Sequence, residues 1–81
     1  MKSITVYKSD SCKPCQRTKM ILNNLKETEV CYVDVDKDGT EDGITRLPTT
    51  IIYDNDIEQE RIVGELYEED LDYLESKYCI R

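Results

Sequence analysis

This chain has no tryptophan and no phenylalanine, and six tyrosines supply all the aromatic bulk of its 81 residues. Glycine occurs three times and proline twice, and no linker, repeat or low-complexity segment is present. No apolar run approaches the roughly 20 residues that a membrane-spanning helix needs, so no membrane partner is expected. The start, Met1-Lys2-Ser3-Ile4, lacks the apolar stretch of a secretory signal, and a cytoplasmic, reducing location is the expectation. An excess of positive charge is also missing: the net charge is −7, which argues against general nucleic-acid binding. A chain this short buries only about 60% of its unfolded surface, so one domain over residues 1–81, with one small core, and a monomer are expected.

What the chain does have is Cys12-Lys13-Pro14-Cys15. Two cysteines with two residues between them can close a small disulfide ring or supply half of a zinc site, and the spacing alone does not decide. The setting is more informative. Ile4-Thr5-Val6-Tyr7 before the motif is a β-branched and aromatic run that predicts a strand. After it, Thr18, Ile21, Leu22 and Leu25 recur at the i, i+3, i+4, i+7 spacing of a helix. The motif therefore stands where a strand ends and a helix begins. Pro14 suits a first helical turn, where its missing N–H would have no partner in any case. Unpaired N–H groups and the positive end of the helix dipole then face Cys12 and favour its thiolate, the reactive form.

Along the rest of the chain, residues 4–7 predict the first strand and 13–26 the first helix. Val30-Cys31-Tyr32-Val33-Asp34-Val35 predicts a second strand. Short joints make this a βαβ unit with parallel strands. Residues 36–46 are polar and are expected to be mainly loop, with room for one helical turn. Residues 49–53 and 58–63 predict a hairpin closed at Asp54-Asn55-Asp56, which has turn chemistry. A last helix over about 67–78 carries Leu71, Leu74 and Tyr78 on one face, with Glu68, Glu69 and Asp70 complementing its dipole.

Charge is uneven. Residues 1–26 carry six cations against Asp10 alone, so +5, and the remainder must carry −12. Two readings stand: a helix with a solvated basic face, or a local positive potential that stabilises a thiolate and attracts acidic partners. Two metal patterns are weaker. A zinc ribbon needs a second Cys-x2-Cys, but the residue at that spacing from Cys31 is Asp34, and Cys79 is remote. Asp34 to Gly39 fits the opening of a calcium loop, yet Thr45 occupies the position of the required glutamate and a strand precedes it. No metal site is assigned. Cys31, within a strand, is expected to be a small buried hydrophobe, and Cys79 to lie near a fraying end.

Strand, Cys12-x-x-Cys15 and helix; Leu47-Pro48-Thr49 leading into an apolar strand; and Val63-Gly64 before a final helix follow one another in that order. Together they resemble the thioredoxin and glutaredoxin superfamily over roughly residues 4–75. The second half resembles thioredoxins. The first half, with Ser11 before Cys12 and Thr18-Lys19 after the motif, resembles glutaredoxins and the small redoxins that reduce ribonucleotide reductase. Val6 occupies the place of the buried acid that thioredoxins carry. The resemblance implies an α/β thioredoxin fold: a four-stranded mixed sheet flanked by helices, in the order β-α-β-(loop)-β-β-α. It implies thiol–disulfide oxidoreduction of protein substrates by a Cys12–Cys15 redox disulfide without a bound cofactor. Cys12 would be the nucleophile and Cys15 the resolving thiol. Lys13, Pro14, Leu47, a cis Pro48 and Gly64 would shape the site, with Lys8, Asp10 and Arg17 as charge partners. Electrons would come from a thioredoxin reductase, with glutathione as the alternative source, although Glu65, Glu68 and Glu69 would oppose its carboxylates. The alternative of another class is a binding module that does not use its thiols.

Overall fold

The computed structural model describes residues 1–39 and 43–81. Its elements are β1 (Lys2–Lys8), α1 (Lys13–Leu22), β2 (Glu29–Asp34), α2 (Val35–Asp38), β3 (Thr49–Asp54), β4 (Ile57–Val63) and α3 (Glu68–Tyr78). The strands lie in the order β2-β1-β3-β4. β1 pairs in parallel with β2, Ile4 opposite Val30, and antiparallel with β3, Ile4 opposite Ile52. β3 and β4 form the antiparallel hairpin. This is the expected mixed sheet. α2 is one turn at the edge of the stretch expected to be mainly loop, and residues 40–42 of that stretch lie outside the described residues.

Alternation along β1 sets one buried face, while residues 49–52 of β3 are buried in succession. Ile4, Val6 and Ile52 share one face of the sheet and pack with Leu22 of α1, Leu66, and Leu71 and Leu74 of α3. Leu25, Val30, Tyr32, Ile62 and Tyr78 close the margins of this cluster. The hairpin turns at Asn55 and Asp56, with φ of 52° and 69°. Two positive φ values in a two-residue loop match the twist of the flanking strands, and Asn and Asp are the non-glycine residues that tolerate them best. At the far side, the Tyr73 and Tyr78 hydroxyls donate to Glu60, and Lys77 lies 3.4 Å from the same carboxylate. That cluster ties α3 to β4.

The structure corrects three expectations. α1 ends at Leu22, four residues early. Asn24 N–H donates to Ile21 O and Leu25 N–H to Leu22 O, tightening the end into three-residue turns. Asn23 and Asn24 are weak helix formers, and Leu25 still reaches the core from the turn. Cys31 is exposed. β2 is an edge strand, and Cys31 sits beside Thr5 on the face opposite that of Val30 and Tyr32. Finally, the end around Cys79 is anchored. Ile80 is fully buried in the core, Arg81 N–H donates to Thr28 Oγ1 at 3.0 Å, and Glu27 N–H donates to Arg81 O at 2.7 Å. Cys79 itself is exposed and closes α3 in the left-handed region, φ 56°.

Ile80→Ala should therefore cost about 2–5 kcal/mol, the range for emptying a buried isoleucine site. Urea unfolding measures it. A loss near zero would mean that the end frays after all.

Candidate active site

Strand register gathers the candidate residues at one end of the sheet. Lys8 stands opposite Asp34, Tyr7 opposite Thr49, and Thr49 opposite Val63. Pro48 and Gly64, one step beyond the last pair, are joined by a hydrogen bond from Gly64 N–H to Pro48 O at 2.8 Å. The Leu47–Pro48 peptide is cis, as the resemblance implies, and Pro48 is buried. Gly64 has φ 101°, a conformation that suits glycine. A groove of about 220 Å³ beside Leu47 is lined by Val35, Ile44, Thr45 and Arg46.

β1 stops at Lys8 and α1 starts at Lys13, so the intervening residues must turn at this end of the sheet. Cys12 N–H donates to Ser9 O at 3.1 Å, closing the turn. The buried Ser9 hydroxyl donates to Asp36 at 2.6 Å and contacts that of Ser11 at 3.0 Å. Cys12 is the N-cap of α1, with extended backbone, and its sulfur accepts the Cys15 N–H at 3.2 Å. Lys13 and Pro14 fill the first turn. Cys12 and Cys15 form a disulfide across a Cα separation of 5.2 Å, within the usual span. The two sulfurs are not equivalent: Cys12 is half-buried, whereas Cys15 is only 3% exposed.

The expected charge partners turn to other groups. Lys8 lies 2.7 Å from Asp10 and 3.6 Å from Asp34. Asp10 raises the Lys8 ammonium above its ordinary value, and Lys8, aided by Lys37, lowers Asp10. Arg17 makes a bidentate pair with Glu65, both bonds 2.9 Å, which holds the Glu65 carboxyl below the usual range. Glu65 is therefore not the free repelling charge that its place in the sequence suggests. Lys2 also lies against an acid, 3.4 Å from Asp54. Lys2, Lys8 and Arg17 of residues 1–26 thus stand against acids, while among the described residues Lys13, Lys19 and Lys26 have no carboxylate partner. Asp34, in the calcium-like stretch, caps α2 through Asp36 N–H. Among the described residues, no group of three or more His, Cys, Asp or Glu is placed to hold a metal ion.

One contact was not signalled by the motifs. Thr18 is fully buried, and its hydroxyl accepts Leu66 N–H at 3.0 Å. It fastens the helix that begins at the cysteines to the segment that follows Gly64. The cues in the sequence are its place on the apolar face of the predicted helix and its position three residues after Cys15.

Sheet order, cis-proline and capped dithiol together define the thioredoxin/glutaredoxin superfamily. The Glutaredoxin family model matches residues 4–49, more than half of the chain, and the chain belongs to that family. Solved structures that share the fold include thioredoxins. A mutant thioredoxin from Halobacterium salinarum NRC-1 is 24% identical with a TM-score of 0.80, covering 93% of this chain and 73% of that one. Thioredoxin-2, a component of malaria parasite protein secretion machinery, is 21% identical with a TM-score of 0.85, covering 96% and 84%. Fasciola hepatica thioredoxin is 20% identical with a TM-score of 0.77, covering 95% and 80%. At these identities the likeness shows the fold. No curated protein matches the chain. Family and disulfide together support a redox oxidoreductase.

Two outcomes test the ties within the site. Thr18→Val keeps the shape but strands a buried N–H, and should cost about 1–3 kcal/mol in denaturant unfolding; a neutral result would mean that Leu66 N–H finds another partner. The Glu65 pair has a pH signature. Because Arg17 lowers its folded value, its contribution is complete above the ordinary glutamate range and is lost as pH falls through the lowered value. Glu65→Gln should flatten that part of the acid limb of stability, and an unchanged limb would count against the pair.

Proposed function

We propose that this protein reduces protein disulfides with the Cys12/Cys15 dithiol. One observation carries the reading: Cys12, accessible and capped by an N–H donor at a helix start, stands in front of a buried Cys15. The Cys12 thiolate attacks a partner's disulfide and forms a mixed disulfide. Cys15 then attacks Cys12 Sγ and releases the partner's thiolate. Lys13 and Pro14 shape the ring. Leu47, beside cis Pro48, offers backbone and an adjoining groove to an extended segment of the partner. The proposed setting is a cytoplasmic monomer of one domain that needs no bound cofactor. Its electron source is a flavin-containing thioredoxin reductase. Glutathione is the second reading, favoured by the match to the glutaredoxin family.

Insulin reduction, driven in parallel by thioredoxin reductase and by glutathione with its reductase, separates the sources. Turnover with the first and little with the second is expected; the reverse would make glutathione the donor. Cys12→Ser should abolish reduction and Cys15→Ser should trap partners on Cys12, while Cys31→Ser and Cys79→Ser should leave turnover intact. Full physiological complementation by Cys12→Ser would instead indicate a binding module. The redox potential is expected at about −270 to −200 mV, the span of thioredoxins and glutaredoxins, and a value near −120 mV would mean an oxidant.

A further inference from the structure

The second step of the proposed reaction needs Cys15 as a thiolate, yet Cys15 is 3% exposed. Burial among apolar groups makes a thiol hold its proton. Val6 on β1 is fully buried and apolar, so that strand supplies no acid beneath the pair to take the proton. Something else must make the charge tolerable and give the proton a way out.

Cys15 lines a cavity of about 100 Å³ shared with Lys8, Ser9, Asp10, Gln16, Lys19 and Tyr32. At the liquid share of roughly 30 Å³ each, that volume accommodates about three waters. The charged groups around it are not equivalent. Lys8 is paired with Asp10 and Asp34, and Asp10 is also 3.9 Å from Lys37, so the groups at the end of β1 largely cancel. Lys19 is different. It follows Cys15 by four residues and so shares its face of α1. Its ammonium stands 5.1 Å from the centroid of the Tyr32 ring on β2. Among the described residues it has no carboxylate partner. An aromatic face attracts a cation without neutralising it, so Lys19 keeps its full charge at the cavity.

We propose that Lys19, positioned by the Tyr32 ring, stabilises the Cys15 thiolate across this cavity and thereby drives the resolving step. The inference rests on the thiol–disulfide reading and says how its second half works. The Cys15 thiol gives its proton through cavity water to solvent. The Cys15 sulfur then attacks Cys12 Sγ; the Cys12–Cys15 bond forms, the bond to the partner's sulfur breaks, and the partner leaves as a thiolate that solvent protonates. The partner has gained two electrons and the dithiol has lost them. Tyr32 contributes its ring and not its hydroxyl, because burial raises the phenol and makes it a poorer acid. The titratable groups that line the cavity with Cys15 are therefore Lys8 and Asp10 from the end of β1, Lys19 from α1 and Tyr32 from β2, and Lys13 stands two residues before Cys15 on α1. Asp34 and Lys37 act through their pairs.

The test is an ultraviolet thiolate titration of Cys15 in the full chain with Cys12, Cys31 and Cys79 changed to Ser. Lys19→Gln should raise the midpoint by about 0.5–1 pH unit, roughly a 3–10-fold loss of thiolate below it. Lys19→Arg should leave it in place. Tyr32→Leu should raise it as Lys19→Gln does, the double variant should move no further, and Tyr32→Phe should be silent. An unmoved midpoint in Lys19→Gln, or a shift in Tyr32→Phe equal to that in Tyr32→Leu, would overturn the assignment. Lys19 is exposed, so its variants decide the matter even if Tyr32→Leu fails to fold. A second readout is release of a thiol from a mixed disulfide preformed on Cys12, which Lys19→Gln should slow about 3–10-fold at a fixed pH below the midpoint. Insulin reduction by the unaltered protein tests the parent reading separately, since the titration reads Cys15 whether or not insulin is a substrate.

Discussion

β1 is hydrogen-bonded on both sides, in parallel to β2 and antiparallel to β3, and the rest of the site depends on where it stops. Ile4 and Val6 are fully buried and lock its register against Val30, Tyr32, Ile52 and Thr50. A slip of one residue would turn both to the other face. With the register locked, the chain leaves the sheet at Lys8 beside Asp34 and close to Pro48. The helix then starts only five residues later, with Cys12 as its cap. The cysteine pair, the cis-proline and Gly64 therefore gather at one end of the sheet, where β1, β2 and β4 end and β3 begins.

A domain this small has little core with which to hold a loop-borne site. It uses short polar ties instead. Ser9 holds Asp36, Thr18 holds Leu66, Arg17 holds Glu65, and Pro48 holds Gly64. Each joins segments far apart in the chain, and each lies close to the dithiol in sequence or in register. The consequence is electrostatic as well as mechanical. Lys8 and Arg17 are matched to acids, which leaves the helix terminus, Lys13 beside the cysteines and Lys19 at the cavity as the fields that act on sulfur.

Much of this was legible in the sequence, and what was not has a common cause. The alternating run Ile4-Thr5-Val6-Tyr7, the helical recurrence after Cys15 and the turn chemistry at Asn55-Asp56 are local signals, and each marks a real element. The cysteine pair at a helix start follows from two of them placed end to end. Strand order is not local. Nothing in Val30-Cys31-Tyr32 says that β2 lies at an edge, so Cys31 is expected inside and is found outside. Ion pairing is not local either. Arg17 and Glu65 stand 48 residues apart, and Lys8 meets Asp34 across the sheet, so a run of cations reads as a basic patch until its acids are placed. The burial of Ile80 beyond the last helix likewise depends on where that helix docks. The cis-proline and the roles of the two thiols came from family resemblance, not from periodicity.

The N-cap position of Cys12 and the burial of Cys15 favour one thiol for reaction and hold the other in reserve. Competitive alkylation of the fully reduced protein at neutral pH, with labelled sites assigned by peptide mass spectrometry, tests it most directly. Cys12 is expected to be modified at least about tenfold faster than Cys15, because thiolate character and access both favour it. Equal rates, or faster labelling of Cys15, would contradict it.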